Sequence, residues 1–240
     1  MDGVREFLWK ARGGPFSILL GERVFAPTST SREMAEGLIV HPGETVIDVG
    51  AGSGILSFVA AKLGASRVFG TEVNPQAVEF ADLNAERLGL ADRISFRLGS
   101  LFEPLKGLRA NVVIGDVSGI PDEIAAESGW FPGGFSGGPT GAEVPMAMLE
   151  ASREHLVPGG RLYLPTASIQ DERSVLRTAR RLFGEGRVKE LRERLMPMPG
   201  KLSESAVVRR FMDSGVVEFF RKGSRLLWRL RVWELTAPPS

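Results

Sequence analysis

From Glu44 onward the chain repeats one pattern: the apolar runs "TVIDV", "RVFGTEV", "RISFRL", "NVVIGDV" and "RLYLPT" are separated by stretches with helical spacing. Apolar runs of this length read as strands buried on both faces, and their alternation with helices points to parallel strands joined by crossovers. The spacing predicts helices over residues 55–63, 75–88, 144–156 and 172–183. An open α/β sheet of this kind binds ligands at the carboxyl ends of its strands. The tail breaks the rhythm. "RVKELRERLMPMP", "GVVEFF" and "SRLLWRLRVWELT" read as three strands in succession, with an antiparallel hairpin around Lys222 and Gly223.

Ahead of the sheet, residues 3–11 read as a short helix and "PFSILLGERVFAPTSTS" as two brief strands about a Gly21 turn. Any hydroxyl among residues 28–31 can cap a helix running to about Leu38. Residues 1–40 are then an N-terminal helix, short hairpin and cap on a domain of residues 41–240, functionally one domain.

Composition removes several classes of function. Of 240 residues, 30 are basic and 29 acidic, so the net charge of +1 supplies no general field for nucleic acid or an anionic membrane. Nucleic acid is a possible partner through a local patch, though not the favoured one. With no cysteine there is no disulfide framework, thiolate nucleophile or zinc knuckle, which fits a reducing cytoplasm. The two histidines do not suggest a metal: His41 precedes a proline and reads as a surface residue, and His155, near a helix end, reads as a complement to the helix dipole. The amino terminus lacks an apolar signal core, and no run reaches the ~18 apolar residues of a membrane span. A cytoplasmic protein with no membrane partner is expected.

The stretch "VIDVGAGSGILSFVAAKLGASRVFGTEV" concentrates the chemistry. Gly50, Gly52 and Gly54, with Ala51 between the first two, let the main chain turn sharply after a strand and meet a ligand closely before a helix begins. The dinucleotide fingerprint is GxGxxG. Here the spacing is GxGxG, and Ile55 stands at its third glycine. Asp48 lies ahead of the glycines, where a carboxylate can help hold a cationic amino group. Glu72 closes the next strand, where it can accept hydrogen bonds from ribose hydroxyls and disfavour a ribose phosphate. The bland alternative is a steric turn and a solvated acid.

"DVGAGSGIL" followed by "TEVNP" resembles the class I S-adenosylmethionine-dependent methyltransferases. The resemblance implies a Rossmann-like, seven-stranded, mainly parallel sheet with an antiparallel C-terminal hairpin. It also implies S-adenosyl-L-methionine as cofactor and S-adenosyl-L-homocysteine as product. By position it places Asp48 and the loop from Gly50 to Gly54 beside the methionine part, Glu72 on the ribose, and Val73 and Asn74 nearby. "RLGSLFEPL" is similar to the segment that flanks the adenine; Ser100 stands where many relatives carry Asp, and Leu101 and Phe102 can cover the ring.

"VFAP", "GSLFEPL", "GGPTGAEV" and "HLVPGGRLYL" together resemble the HemK-type methyltransferases, which modify glutamine side chains of translation release factors. Their Asn-Pro-Pro-Tyr motif is absent. "DVSG" replaces it, so Asp116 stands where that family has Asn. A carboxylate there can bind an N–H or O–H of the acceptor, aim its lone pair at the methyl group and take the proton, or it can simply cap a turn. Ser118 reads as a turn hydroxyl. Thr28 and Ser29, by the first core helix, and Trp130 and Phe131, at the Gly/Pro-rich insertion, are further candidates to touch the acceptor; capping and packing are their ordinary roles. Residues 132–141 have the composition of a hinged lid.

Other readings remain open. "GSGILSFVAAKLGA" and "LYLPTASI" also resemble protein arginine methyltransferases, whose barrel and acidic hairpin the chain does not reproduce. Ribosomal-protein lysine methyltransferases share the glycine-loop phrasing, though the chain leaves no room for their amino-terminal recognition domain. The acceptor is then a protein side chain, arginine and lysine included, or a small metabolite. A non-catalytic docking module is the alternative of another class. It would use "RLLWRLRVWEL" as an exposed edge, with Arg225, Trp228, Arg229, Arg231 and Trp233 free for a partner. Otherwise the apolar residues of that strand face helices and the arginines face water.

Overall fold

A computed structural model describes residues 3–130 and 136–239 of the chain. The elements, in order, are β1 (Arg5–Trp9), β2 (Phe16–Leu20), α1 (Ser29–Gly37), β3 (Thr45–Val49), α2 (Ile55–Leu63), β4 (Arg67–Glu72), α3 (Pro75–Arg87), β5 (Ile94–Leu98) and β6 (Ala110–Ile114). There follow α4 (Asp122–Ser128), α5 (Glu143–Ser152), β7 (Leu156–Ala167), α6 (Glu172–Phe183), β8 (Val188–Pro197), α7 (Gly200–Ser203), α8 (Ala206–Asp213), β9 (Phe220–Lys222) and β10 (Arg225–Thr236).

The main sheet runs β5-β4-β3-β6-β7-β10-β8, and β9 adds to β10 as an eighth strand. Neighbours from β5 to β7 are parallel; β10 is antiparallel to β7, β8 and β9. The fold is the expected α/β architecture with one more strand than the seven expected. One face packs on α1, α2 and α3 through Met34, Phe58, Ala81 and Val46; the other packs on α5 and α6 through Leu149, Val175, Ile47 and Leu164. Two-sided burial is why the strands read as continuous apolar runs.

Helix ends follow local chemistry. Asn74 caps α3 by accepting from the Gln76 amide at 3.0 Å, and Pro75 opens the helix where no N–H is needed. Asp171 caps α6 through Ser174.

Four expectations fail. Residues 3–11 are a strand, β1, paired antiparallel with β2, not a helix. So short a segment cannot sustain an isolated helix, whereas pairing buries Trp9 and lets Phe16, Ile18 and Leu20 point inward. The second strand expected after Gly21 is absent, and the chain there runs as an irregular loop. The tail is not three consecutive strands, because α7 and α8 intervene between β8 and a much shorter β9. Nor is β10 an exposed edge: it lies between β7 and β8. Its Trp233 is buried, and Arg229 and Arg231 are committed to Glu172, Glu190, Glu193 and Glu218 rather than to water or a partner.

Candidate active site at the carboxyl ends of the strands

The loop after β3 turns through Gly50, Gly52 and Gly54 at φ of 70°, 53° and 81°. Side chains disfavour that left-handed region, and at Gly54 a Cβ would also lie 2.7 Å from Phe58 Cζ. The turn is pinned by the Ala51 amide donating to Thr71 O at 2.9 Å, and it delivers the chain into α2, whose N-cap Gly54 makes no side-chain cap bond. Around it lies a cavity of about 770 Å³.

Three carboxylates at or just past strand ends border this cavity, and Glu22, in the loop after β2, lines it as well. Asp48, at the end of β3, is 1% exposed, and Ser57 Oγ donates to its Oδ2 at 2.6 Å. Burial, and after it the negative charges of Asp116 and Glu72, push the Asp48 carboxyl up to about 7, against the lowering effect of the Ser57 hydrogen bonds. Glu72, at the end of β4, is held by main-chain donors: Gly52 N on Oε2 at 2.9 Å, and Val73 N and Asn74 N on Oε1 at 2.7 and 2.9 Å. The glycine turn and the acid are thus one hydrogen-bonded unit. Asp116 follows β6, and Ser31 Oγ donates to its Oδ2 at 3.2 Å; burial pushes its carboxyl up to about 6, opposed by that bond.

Most expected residues converge. Thr28, Asp48, Gly50, Ala51, Gly52, Glu72, Val73, Asn74, Ser100, Leu101, Asp116, Ser118 and Trp130 all line the cavity. Thr28 also caps α1 in a capping box with Ser31. Asn74 spends its amide on Arg23 O at 2.8 Å, tying the loop after β2 to the cavity wall. Gly54 does not line the cavity; it serves the turn, packed against Phe58 and Phe96. Phe102 is likewise elsewhere, buried and stacked on His155 with centroids 4.5 Å apart. His155 lies three residues past α5, with Nδ1 2.8 Å from Leu108 O, so its place is a packed core rather than a helix end. Phe131 and the start of the proposed lid lie outside the described residues. The rest of that loop is tied down, with Gly137 N on Ile120 O at 2.8 Å and Ser136 Oγ on Asp122 at 2.6 Å.

Sequence reading missed Ser31, Thr71 and Gln170. Thr71 could have been found from its place beside Glu72 at a strand end; Gln170 carried no signal. Thr71 Oγ1, Ser118 Oγ and Gln170 Nε2 are buried without a hydrogen-bond partner, and all three residues border the cavity. Thr71 Oγ1, orphaned beside the glycine turn and the fixed Glu72 carboxylate, is what a polar nucleoside ligand would complete. The residues fit S-adenosylmethionine. Among the described residues there is no cluster of three or more metal-ligating side chains, and no helix is long and apolar enough to cross a membrane.

A family model described as ribosomal protein L11 methyltransferase (PrmA) matches residues 27–127, less than half of the chain. The ribosomal protein L11 methyltransferase of Pelotomaculum thermopropionicum is 46% identical over 87 residues, 36% of this chain and 27% of that protein. The chain thus matches about a quarter to a third of the length of such curated relatives. Among solved structures, a Thermus thermophilus 16S rRNA methyltransferase in complex with AdoMet and guanosine superposes on 99% of this chain and 51% of its own, with TM-score 0.64 and 16% identity. A ribosomal protein L11 methylase from Lactobacillus delbrueckii covers 87% of this chain and 80% of its own, with TM-score 0.50 and 20% identity. The fold is that of the class I methyltransferases. Within that class the matched model is the ribosomal protein L11 methyltransferase rather than the HemK type the motifs resemble.

Proposed function

We propose that the protein is an S-adenosylmethionine-dependent methyltransferase acting on a nitrogen of a protein side chain. The observation that carries this reading is the meeting of Asp48, the Glu72-bound glycine turn and Asp116 around one cavity. Asp48 would hold the amino group of the cofactor, Glu72 a ribose hydroxyl, and Ser100 and Leu101 the adenine side. Residues 1–40 serve as a cap, since the loop after β2 and the start of α1 both border the same space.

When bound, the cofactor supplies a methyl group on a sulfonium, already a good leaving group, so the protein must mainly position the acceptor and exclude water. Asp116 does the positioning. Oriented by Ser31, its carboxylate accepts an N–H of the acceptor, aims the nitrogen lone pair and receives the proton. The names of the curated relatives support a protein acceptor, and the HemK-like motifs support a side-chain amide. A small nitrogen compound is the second reading, favoured by the apolar wall beyond Asp116.

Incubation with cofactor labelled in the methyl group and a cell extract tests this. Label should leave the cofactor in a time-dependent way that Asp116→Ala abolishes, into acid-precipitable material for a protein acceptor or into the soluble fraction for a small one. Label that stays with the cofactor, or transfer indifferent to Asp116→Ala, would remove the proposal.

A further inference from the structure

Beyond Asp116 the cavity continues along chain outside the matched residues 27–127. Its wall there includes Trp130, Pro165 and Ala167 of β7, Met196 of β8, and Trp228 and Leu230 of β10. Strand register makes this one surface. Trp228 lies opposite Met196 and Leu230 opposite Ala167, and cross-strand partners emerge on the same face, as do residues two apart on a strand. Trp130 and Trp228 both pack, partly buried, on the cluster of Ile124, Ala167, Ile169 and Leu226.

The Asp116 end of this shelf is polar. Ser118 Oγ and Gln170 Nε2 are buried there without partners. Gln170 reaches this place by lying across Gly119, where any Cβ would come within 2.3 Å of its Oε1. The Ser118 hydroxyl, which can accept as well as donate, is open to an N–H from a ligand entering beside the apolar shelf.

We propose that this half of the cavity is the acceptor compartment and that it takes a small, flat, apolar amine, its ring on the Trp228–Met196 shelf and its nitrogen toward Asp116. The inference rests on the methyl-transfer reading and favours its small-acceptor form. Indole and thioether surfaces are well covered by a ring, which brings few rotors to freeze, whereas a flexible alkyl chain loses rotamer freedom on entry. Charge selects the nitrogen. Asp48, Glu72 and Asp116 border the cavity, while Glu22 and its cationic lining residues, Arg5 and Arg23, belong to the N-terminal segments. A cationic headgroup is therefore favoured over an anionic one.

Calorimetric titration of the full chain, with and without S-adenosylhomocysteine, compares benzylamine, n-hexylamine, benzoate and a lysine-bearing peptide. Benzylamine should bind at least about 10-fold more tightly than the other three. Trp228→Leu, which keeps an apolar side chain and removes the ring, should weaken benzylamine about 10-fold while leaving the S-adenosylhomocysteine titration unchanged. Trp130→Leu, on the loop side, should weaken it in the same sense and serves if the β10 variant does not fold. Equal affinity for benzylamine and n-hexylamine, indifference to both tryptophan variants, or tighter binding of the lysine peptide would each overturn the inference. Failure of the unmodified protein to bind S-adenosylhomocysteine would instead sink the methyl-transfer reading, and benzylamine on unloaded protein would still decide the compartment.

Discussion

Ser31 Oγ donates to Asp116 Oδ2 at 3.2 Å, joining the first turn of α1 to the end of β6 across 85 residues of chain. Turnover should follow ionised Asp116 and fall as pH drops through about 6, the value to which burial raises this carboxyl. Ser31 opposes that rise, so Ser31→Ala should move the acid limb of the kcat/KM profile upward in pH, and Ser31→Thr should restore it. An unmoved limb in Ser31→Ala would assign the hydroxyl to capping alone.

Asp48 should have opposite effects on ligand-free stability and on cofactor binding. Its carboxyl, raised to about 7 in the folded chain from 3.8, binds a proton the unfolded chain has released. Its contribution to stability is present below pH 3.8 and is lost as pH rises through about 7. Asp48→Asn should therefore raise the ligand-free Tm at pH 8, by about 2–4 °C per kcal/mol relieved. The same substitution should weaken cofactor binding by ~1–3 kcal/mol. Binding to the unmodified protein near pH 6.5 should release a proton, visible as a buffer-dependent heat.

Glu72→Ala removes the acceptor of three main-chain amides, and with it the ribose contact proposed above. Cofactor affinity should drop about 5- to 150-fold, equivalent to ~1–3 kcal/mol, with a lowered Tm in the absence of ligand. A lost affinity with unchanged Tm would show that the turn holds itself.

The glycines separate folding from binding. Gly54→Ala combines φ of 81° with a Cβ 2.7 Å from Phe58, so it should cost roughly 1–3 kcal/mol of stability. Gly52→Ala, at φ 53° with Gly50 O at 3.9 Å as its nearest neighbour, should fold with a smaller loss, about 1 kcal/mol, and show its larger effect in cofactor titration. Chemical denaturation and calorimetry on the pair check both.

Elements written in local chemistry were legible before the structure. The helices at 55–63 and 172–183 have the expected limits because glycine and aspartate punctuate them. The convergence of Asp48, Glu72 and Asp116 on one cavity was legible because they lie at or just past the ends of three strands whose ends must converge in a parallel sheet. Elements that depend on distant partners were not legible. β1 exists through β2, whose Leu19 main chain is in turn satisfied by both atoms of the Asn84 amide of α3, at 2.7 and 2.8 Å. Phe102 was assigned to the cofactor because nothing near it in sequence reveals His155 as its stacking partner. Gln170 emerged only once β7, α6 and Gly119 were in place.

The most direct test is calorimetric titration of the purified chain with S-adenosylmethionine and, separately, with NAD. Saturable one-site binding of S-adenosylmethionine, weakened by Asp48→Ala and by Glu72→Ala, with no heat from NAD, is the result predicted here. Tight NAD binding alongside indifference to S-adenosylmethionine would contradict it.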